Sequence, residues 1–305
     1  MDARHLPVLL AESLAWLDPA RGGLFVDATL GLGGHAEALL EAAPAACLLG
    51  VDRDSEALEL AGARLARFGA RVELAQGDFR DLERLVGASR RAAGVLADLG
   101  VSSLQLDRAE RGFSFQREGP LDMRMARSGR TAAELVNRST EAELTEIFRQ
   151  YGEEPEARRV ARAIVREREE RPIETTRVLA EIVRRAKRSP RGEARIDPAT
   201  RVFQALRIAV NEELDAVSEM LDQAVRMLDT DGRLVVISYH SLEDRIVKNR
   251  MRDLARGQVD PVTGRTLSET RVLDVLTRKP VRPTPAEIDA NPRSRSARLR
   301  AARRL

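Results

Sequence analysis

Four aspartates, Asp27, Asp52, Asp78 and Asp98, lie at or just past the ends of short apolar runs, around a glycine-rich turn, Gly31-Leu32-Gly33-Gly34-His35. With Ala36 the turn fits G-x-G-x-x-[GA], and Asp52 follows it by about 20 residues. Glycines let the backbone pass close to a ligand, and an acid at that spacing accepts hydrogen bonds from two ribose hydroxyls. This combination says that a nucleoside binds. Alone it fits a nicotinamide dinucleotide or a purely structural turn as well. Asp27 separates these readings, because a carboxylate beside the turn would repel a diphosphate seated on the following helix. S-adenosylmethionine carries no phosphate, and its ammonium and sulfonium are drawn to acids. Gly77-Asp78-Phe79 falls where an adenine is held, and Asp98 falls on the switch-point side of an open α/β sheet. The four acids in register with the turn favour S-adenosylmethionine as cofactor.

Methyl transfer from a sulfonium asks mainly for alignment of nucleophile and methyl group. Attack by carbon-5 of a pyrimidine is the exception, since it usually requires a cysteine nucleophile. The single cysteine, Cys47, falls inside the second apolar run and reads as a small core residue. Amino-methylating enzymes commonly carry Asp/Asn-Pro-Pro-aromatic after the fourth strand. Here the run is Asp98-Leu99-Gly100-Val101-Ser102-Ser103, without proline or aromatic. Asp98, Ser102, Ser103 and His240 are the catalytic candidates: Asp98 as acceptor for an exocyclic amine, the serines as orienting groups or turn formers. His240 either meets the substrate base or anchors the turn after its strand, and His35 either lends its backbone to the cofactor or caps a helix. With one cysteine and three scattered histidines (His5, His35, His240), no metal site is expected. A cofactor-sensing RNA-binding module without turnover and a nicotinamide oxidoreductase stay open as alternatives.

The elements that must hold these residues are legible as alternating strands and helices. Strands are expected at Leu24–Thr29, Ala46–Val51, Arg71–Ala75 and Gly94–Leu99, with helices at Gly33–Ala43 and after Asp54. From about Leu106 to Val210 the strands stop and only helical stretches remain, at Thr131–Val136, Glu141–Tyr151, Pro155–Glu170 and Thr176–Lys187. A long helix carrying Val210, Leu214, Val217, Leu221 and Leu228 then leads through the Asp231-Gly232 turn to a strand at Leu234–Ser238. Ser241-Leu242-Glu243-Asp244 reads as an acidic capping box, and Val272–Leu276 and Ala297–Ala301 as final strands. The expected fold is α/β, a Rossmann-like class I methyltransferase sheet from residues 1–105 and 211–305, with an all-helical domain at 106–210 as substrate-recognition candidate.

The 305 residues carry a net charge of +3, unevenly placed. Residues 177–207 hold nine bases and three acids, and the last fifteen residues hold six arginines and no acid. Two basic clusters point to a polyanion. Arg184, Arg185, Lys187, Arg188, Arg191 and the C-terminal arginines are the expected phosphate contacts. Aromatic residues make up 3% of the chain, too few for an extended stacking platform, which leaves Phe113, Phe115 and Tyr239 as local candidates to stack on a flipped base. No apolar run approaches the roughly 20 residues of a membrane span, and no secretory segment opens the chain, so no membrane contact and a cytoplasmic protein are expected.

Several longer blocks carry a family resemblance. His5-Leu6-Pro7-Val8-Leu9-Leu10, the turn Gly31–His35, Asp98–Asp107, Glu110-Arg111-Gly112-Phe113-Ser114-Phe115, Gly119–Met125, Ser238–Arg245 and Asn291-Pro292-Arg293 closely resemble the ribosomal RNA small subunit methyltransferase H (MraW) family over nearly the whole chain. Tyr239 departs from it, standing where phenylalanine is frequent. The resemblance implies methylation of N4 of a P-site cytidine in 16S ribosomal RNA, within the small ribosomal subunit. It also implies cofactor contacts at Gly33, Gly34, His35, Asp52, Phe79, Asp98 and Gln105. A homodimer is left open.

Overall fold

Four segments of five to seven residues in the first hundred become parallel strands, three of them continuous in apolar and small residues up to a closing aspartate. They are β1 (Gly23–Asp27), β2 (Ala46–Asp52), β3 (Val72–Gln76) and β4 (Ala92–Asp98). The computed structural model describes residues 7–87, 89–126, 128–187, 197–259 and 266–305. Helix α1 (Leu10–Leu17) precedes β1, and α2 (Gly34–Ala42), α3 (Ser55–Leu65) and α4 (Leu82–Val86) follow β1, β2 and β3. Asp54 caps α3 by accepting from the Glu56 N–H at 3.2 Å, and Ala57, Ala61 and Leu65 bury one helical face. Helices α5 (Ser103–Asp107), α6 (Ala132–Arg138), α7 (Glu141–Gly152), α8 (Ala157–Glu170), α9 (Thr176–Ala186) and α10 (Thr200–Asn211) then run without an intervening named strand. After α11 (Glu213–Met227) come β5 (Leu228–Ser238), α12 (Ser241–Arg256) and a small ribbon of β6 (Gln258–Val259) and β7 (Thr266–Leu267). The chain closes with β8 (Leu273–Val275), α13 (Pro285–Ala290) and β9 (Arg298–Arg304).

The seven-stranded sheet has the order β3-β2-β1-β4-β5-β9-β8. Strands β1 to β5 are parallel, and β9 is antiparallel to both of its neighbours. Successive side chains on a strand point to opposite faces, so these strands feed two cores. Val26, Leu49, Val95, Leu234 and Val236 pack with Val217, Leu221 and Met251 on one face. Phe25, Leu48, Leu96, Val235 and Ile237 pack with Leu17, Leu39 and Leu65 on the other. This is the α/β sheet of a Rossmann-like class I methyltransferase, with an inserted helical unit.

By its internal contacts the chain forms two units: Met1–Gly100 with Leu214–Leu305, and Val101–Glu213. The divisions fall a few residues outside the 106 and 210 read from the loss of strand alternation. The helical unit has its own core, including Leu144, Phe148, Val160, Ile164, Leu179, Val183, Val202 and Leu206. Within it Lys187 Nζ reaches the fully buried Glu154 carboxylate at 2.7 Å and the Pro198 carbonyl at 3.0 Å. Lys187→Met strands that carboxylate without its cation. The expected loss is about 3–5 kcal/mol of unfolding free energy in urea titration of the full chain; a change below about 1 kcal/mol would contradict the assignment.

Three sequence expectations are corrected. The long helix through Val210 and Leu228 is two helices, because Glu212 turns to φ 50° and closes α10 with its N–H on the Ile208 carbonyl. The apolar period survives because each helix keeps its own buried face. Strand β5 starts at Leu228, opposite Ala92, and Asp231 at φ 64° makes an irregularity inside it rather than a turn before it. Cys47 lies in β2 but is exposed. It sits at the start of the strand, where an apolar run gives no sign of which residue lacks a cover.

Candidate functional site

The strand order sets the acids in a row. Reading across the sheet, Asp78 follows β3, Asp52 ends β2, Asp27 ends β1 and Asp98 ends β4. Adjacent strands are about 4.8 Å apart, so the row spans three such steps along one rim. The glycine turn rises from its middle. Leu30 N–H donates to the Val51 carbonyl at 2.9 Å, and Gly31 N–H donates to Asp52 Oδ2 at 2.8 Å. Asp52 Oδ1 accepts from Asp54 N–H at 2.9 Å. Burial raises the Asp52 pKa, and these N–H donors oppose the rise.

The glycines divide their work. Gly31, at φ 52°, has open space where a side chain would project, the nearest atom being the Thr29 carbonyl oxygen at 3.9 Å. Gly33, at φ 75°, would press a β-carbon on Ala61, and Gly34 would press one on Pro7. Gly31 is thus the close-approach position, while Gly33 and Gly34 serve packing of α3 and of the segment before α1.

Asp27 and His35 border a tight apolar enclosure together with Leu17, Phe25, Leu39, Leu48 and Leu96. Asp27 is 3% exposed and accepts from Thr29 N–H at 3.1 Å. Burial pushes its pKa up to about 7, with the Asp98 and Asp52 charges adding to the rise and His35 opposing it. His35 Nε2 lies 2.9 Å from the Val8 carbonyl, which only accepts, so Nε2 carries the proton. Nδ1 then presents its lone pair 4.0 Å from Asp98 Oδ2. Burial lowers the His35 pKa, so the contact is not an ion pair at neutral pH. The structure thus adds a side-chain anchor to the two roles expected of His35.

Asp98 is held from three sides. Its N–H donates to Thr29 Oγ1 at 2.6 Å, and its Oδ1 accepts from Tyr239 Oη–H at 2.8 Å. His35 is the third neighbour. Burial pushes the Asp98 pKa up to about 7, the Tyr239 hydrogen bond opposing and the Glu243 charge adding. Burial and the Asp98 charge hold Tyr239 well above the ordinary tyrosine value. Tyr239 and Thr29 are the residues the sequence left unassigned to Asp98. The first signal was Tyr239 itself, a hydroxyl where the resembling family often lacks one.

His240 is the N-cap of α12. Its Nδ1 accepts from Glu243 N–H at 3.4 Å, while Glu243 Oε2 accepts from the Tyr239 and His240 N–H groups at 2.9 and 3.3 Å. The capping box therefore begins one residue earlier than the Ser241-based box expected from sequence. His240 Nε2 lies 3.1 Å from Glu243 Oε1 without hydrogen-bond geometry. Of its two readings the anchoring one is built in this structure. Phe79 sits half-buried in the turn after β3, whose cap Asp78 also faces Arg53 at 3.4 Å.

Ser102 and Gln105 belong to the helical unit, where they cap α5 reciprocally: Gln105 N–H donates to Ser102 Oγ and Ser102 N–H to Gln105 Oε1. The Ser103 side chain lies outside the described residues, as do Arg188 and Arg191. Phe113 is buried in the helical core, and Phe115 packs edge-on against Phe203 at 4.7 Å, so neither is a free stacking face there. The expected phosphate contacts are largely occupied. Arg184 pairs with Asp197, Arg185 with Glu167, Arg300 with Asp244, and Arg303 with Asp231 and Asp274.

Sheet order, glycine turn and acidic rim together define a Rossmann-like methyltransferase that binds a cationic nucleoside. The chain belongs to the MraW methylase family, whose profile matches residues 2–305. A relative from Geotalea uraniireducens, named Ribosomal RNA small subunit methyltransferase H, is 50% identical over 312 residues, covering 100% of this chain and 99% of its own. Relatives of the same name from Syntrophotalea carbinolica and Thermomicrobium roseum are 52% and 50% identical, covering 99% and 100% of this chain and 98% and 95% of theirs. Among solved structures, an rRNA methylase from Streptococcus thermophilus superposes at a TM-score of 0.44 with 12% identity, covering 96% of this chain and 95% of that one. That likeness is too distant to carry more. The cofactor is S-adenosylmethionine. The rim fits it: Asp27 and Asp98 are carboxyls whose charged form lacks a full cationic partner, and Gly31 leaves room for close approach.

Proposed function

We propose that this chain methylates N4 of a P-site cytidine in 16S ribosomal RNA, within the small ribosomal subunit of the cytoplasm. The observation that carries this reading is Asp98, an oriented carboxylate at the switch-point rim whose Oδ1 is already satisfied by Tyr239. An exocyclic amine needs an acceptor there, and Asp98 Oδ2 supplies one. Carbon-5 attack lacks its nucleophile: Cys47 is the sole cysteine, and it lies five residues, roughly 17 Å of strand, from the rim residue Asp52. The relatives' shared name supports ribosomal RNA as substrate. In the described residues no helix is long and apolar enough to cross a membrane.

When bound, S-adenosylmethionine supplies an electrophilic methyl group on its sulfonium. The chain's own part is to bind and align. Asp52 holds the ribose hydroxyls while keeping Gly31 in place, and Phe79 with the turn around Asp78 borders the adenine. Asp27 and Asp98 set negative charge beside the ammonium and sulfonium, with His35 tying α2 to Val8. Gly33 and Gly34 shape the turn. Gln105 is the cofactor contact that the family resemblance implies, and Ser102 and Ser103 are the candidate orienting groups. Asp98 accepts a hydrogen bond from the amine and fixes its lone pair in line, and positioning supplies most of the rate.

The charge arrangement has a measurable consequence. With folded pKa values of about 7, Asp27 and Asp98 are mostly protonated at about pH 6.5 in the free protein. A bound cation favours their charged form, lowers both values and releases protons. Calorimetry of S-adenosylmethionine binding in buffers of different ionisation enthalpy is expected to show about one proton released at about pH 6.5 and none at about pH 8.5. Equal heats across buffers at the lower pH would contradict the account.

The reading itself is tested by incubating the protein with methyl-labelled cofactor and purified small ribosomal subunits. Label enters 16S RNA if the reading is right. Label confined to protein, or no transfer at all, overturns it.

A further inference from the structure

The rim has a second half, and its charge is opposite. In the sheet order, β4 is followed by β5, β9 and β8. Asp98 pairs with Ile237, Ile237 with Leu299, and Leu299 with Val281 through an isolated bridge. Those three steps put Val281 about 14 Å from Asp98 along the same rim. The segment before it bulges outward. Thr277 N–H and Val281 are fixed opposite Ala301 and Leu299, so four residues of chain answer to two of β9. The slack is Arg278-Lys279-Pro280. Arg278, Lys279 and Arg282 are exposed, as is Arg295 just before β9.

These four cations differ from most others in the chain. Among the described residues no ion pair joins an acid to Arg278, Lys279, Arg282 or Arg295, whereas Arg298 and Arg300 share Asp244, and Arg303 takes Asp231 and Asp274. Of the acids in α13, Glu287 Oε1 accepts from Leu9 N–H, and Asp289 is exposed. From Arg278 to Arg295 there are five bases and two acids. Such a patch raises the local concentration of anions and steers a polyanion toward the adjoining site.

We propose that Arg278, Lys279 and Arg282, with Arg295, bind the phosphate backbone of the RNA strand that carries the target base. This rests on the ribosomal RNA reading above and names the surface that reading requires. The distance to Asp98 is that of a few nucleotides, so the contacts flank the target rather than read it. They displace the C-terminal arginines of β9 from that role, since those are engaged within the fold.

The test is the variant Arg278→Ala/Lys279→Ala/Arg282→Ala in the full chain, with purified small subunits as substrate. A second variant, Arg67→Ala/Arg90→Ala/Arg226→Ala, removes the same charge from exposed positions just before β3, β4 and β5, at the opposite edge of the sheet. The first is expected to raise KM for the subunit at least about tenfold and to flatten the plot of log kcat/KM against log salt by roughly two. Its kcat and S-adenosylhomocysteine affinity stay within about twofold of the parent, which also shows that it folds. The second variant changes KM by less than about threefold. An unchanged KM and salt slope in the first variant, or an equal loss in both, overturns the proposal. No transfer by the parent protein would instead sink the ribosomal RNA reading, so the two failures are told apart.

Discussion

Asp98→Asn is expected to lower kcat for methyl transfer by about 100- to 10,000-fold while leaving the fold at least as stable near pH 8. Asparagine keeps the size of the side chain and an oxygen for the Tyr239 hydroxyl. On the proposed mechanism it loses the charge beside the sulfonium and the second acceptor for an amine, and the effect is in the range expected for removing a group that polarises or aligns the nucleophile. The stability sign follows from the pKa. Asp98 is pushed up to about 7 from an unfolded value of 3.8, so the native state retains its proton longer than the unfolded one. Stability from this group is therefore greatest below the unfolded value and falls as pH rises toward about 7, where the buried charge must form. A neutral replacement removes that cost at pH 8. Rapid-quench single turnover and thermal melts at about pH 8 measure both. Full activity with lowered stability would make Asp98 a merely structural partner of Tyr239.

Asp52→Asn is expected to weaken S-adenosylhomocysteine binding by roughly 100-fold, about 3 kcal/mol. On the proposed placement of the cofactor, two charge-assisted hydrogen bonds to its ribose diol are lost in part. The Gly31 N–H that now meets Asp52 Oδ2 at 2.8 Å also faces a weaker acceptor, which loosens the turn at its close-approach residue. The loss falls on binding, so saturating cofactor restores most of kcat. Isothermal titration checks it, and an affinity within threefold of the parent would remove Asp52 from the site.

Much of this rim was legible in the sequence. Short apolar runs ending near Asp27, Asp52, Asp78 and Asp98 mark parallel strands, and parallel strands put their carboxyl ends on one side. The sheet's continuation after a strand-free stretch was likewise visible, because helical and strand periods differ. What pattern could not supply was pairing between atoms distant in sequence. Tyr239 meets Asp98 across 141 residues, and Arg184, Lys187 and Arg300 are spent on Asp197, Glu154 and Asp244. Charge counts register such cations as free. The break at Glu212 escaped because each of α10 and α11 keeps an apolar face in the same rhythm. Cys47 escaped because exposure at a strand's start depends on what covers it, which is a property of the other elements.

On the proposed reading, the acidic half of the rim places the methyl donor, and Asp98 at its end selects what receives the methyl group. Nucleoside mass spectrometry of 16S RNA, after single-turnover reaction with isotopically labelled S-adenosylmethionine, tests that claim most directly. Label is expected in N4-methylcytidine and is lost in the Asp98→Asn protein. Label in 5-methylcytidine, in a ribose methyl or in another base would contradict it.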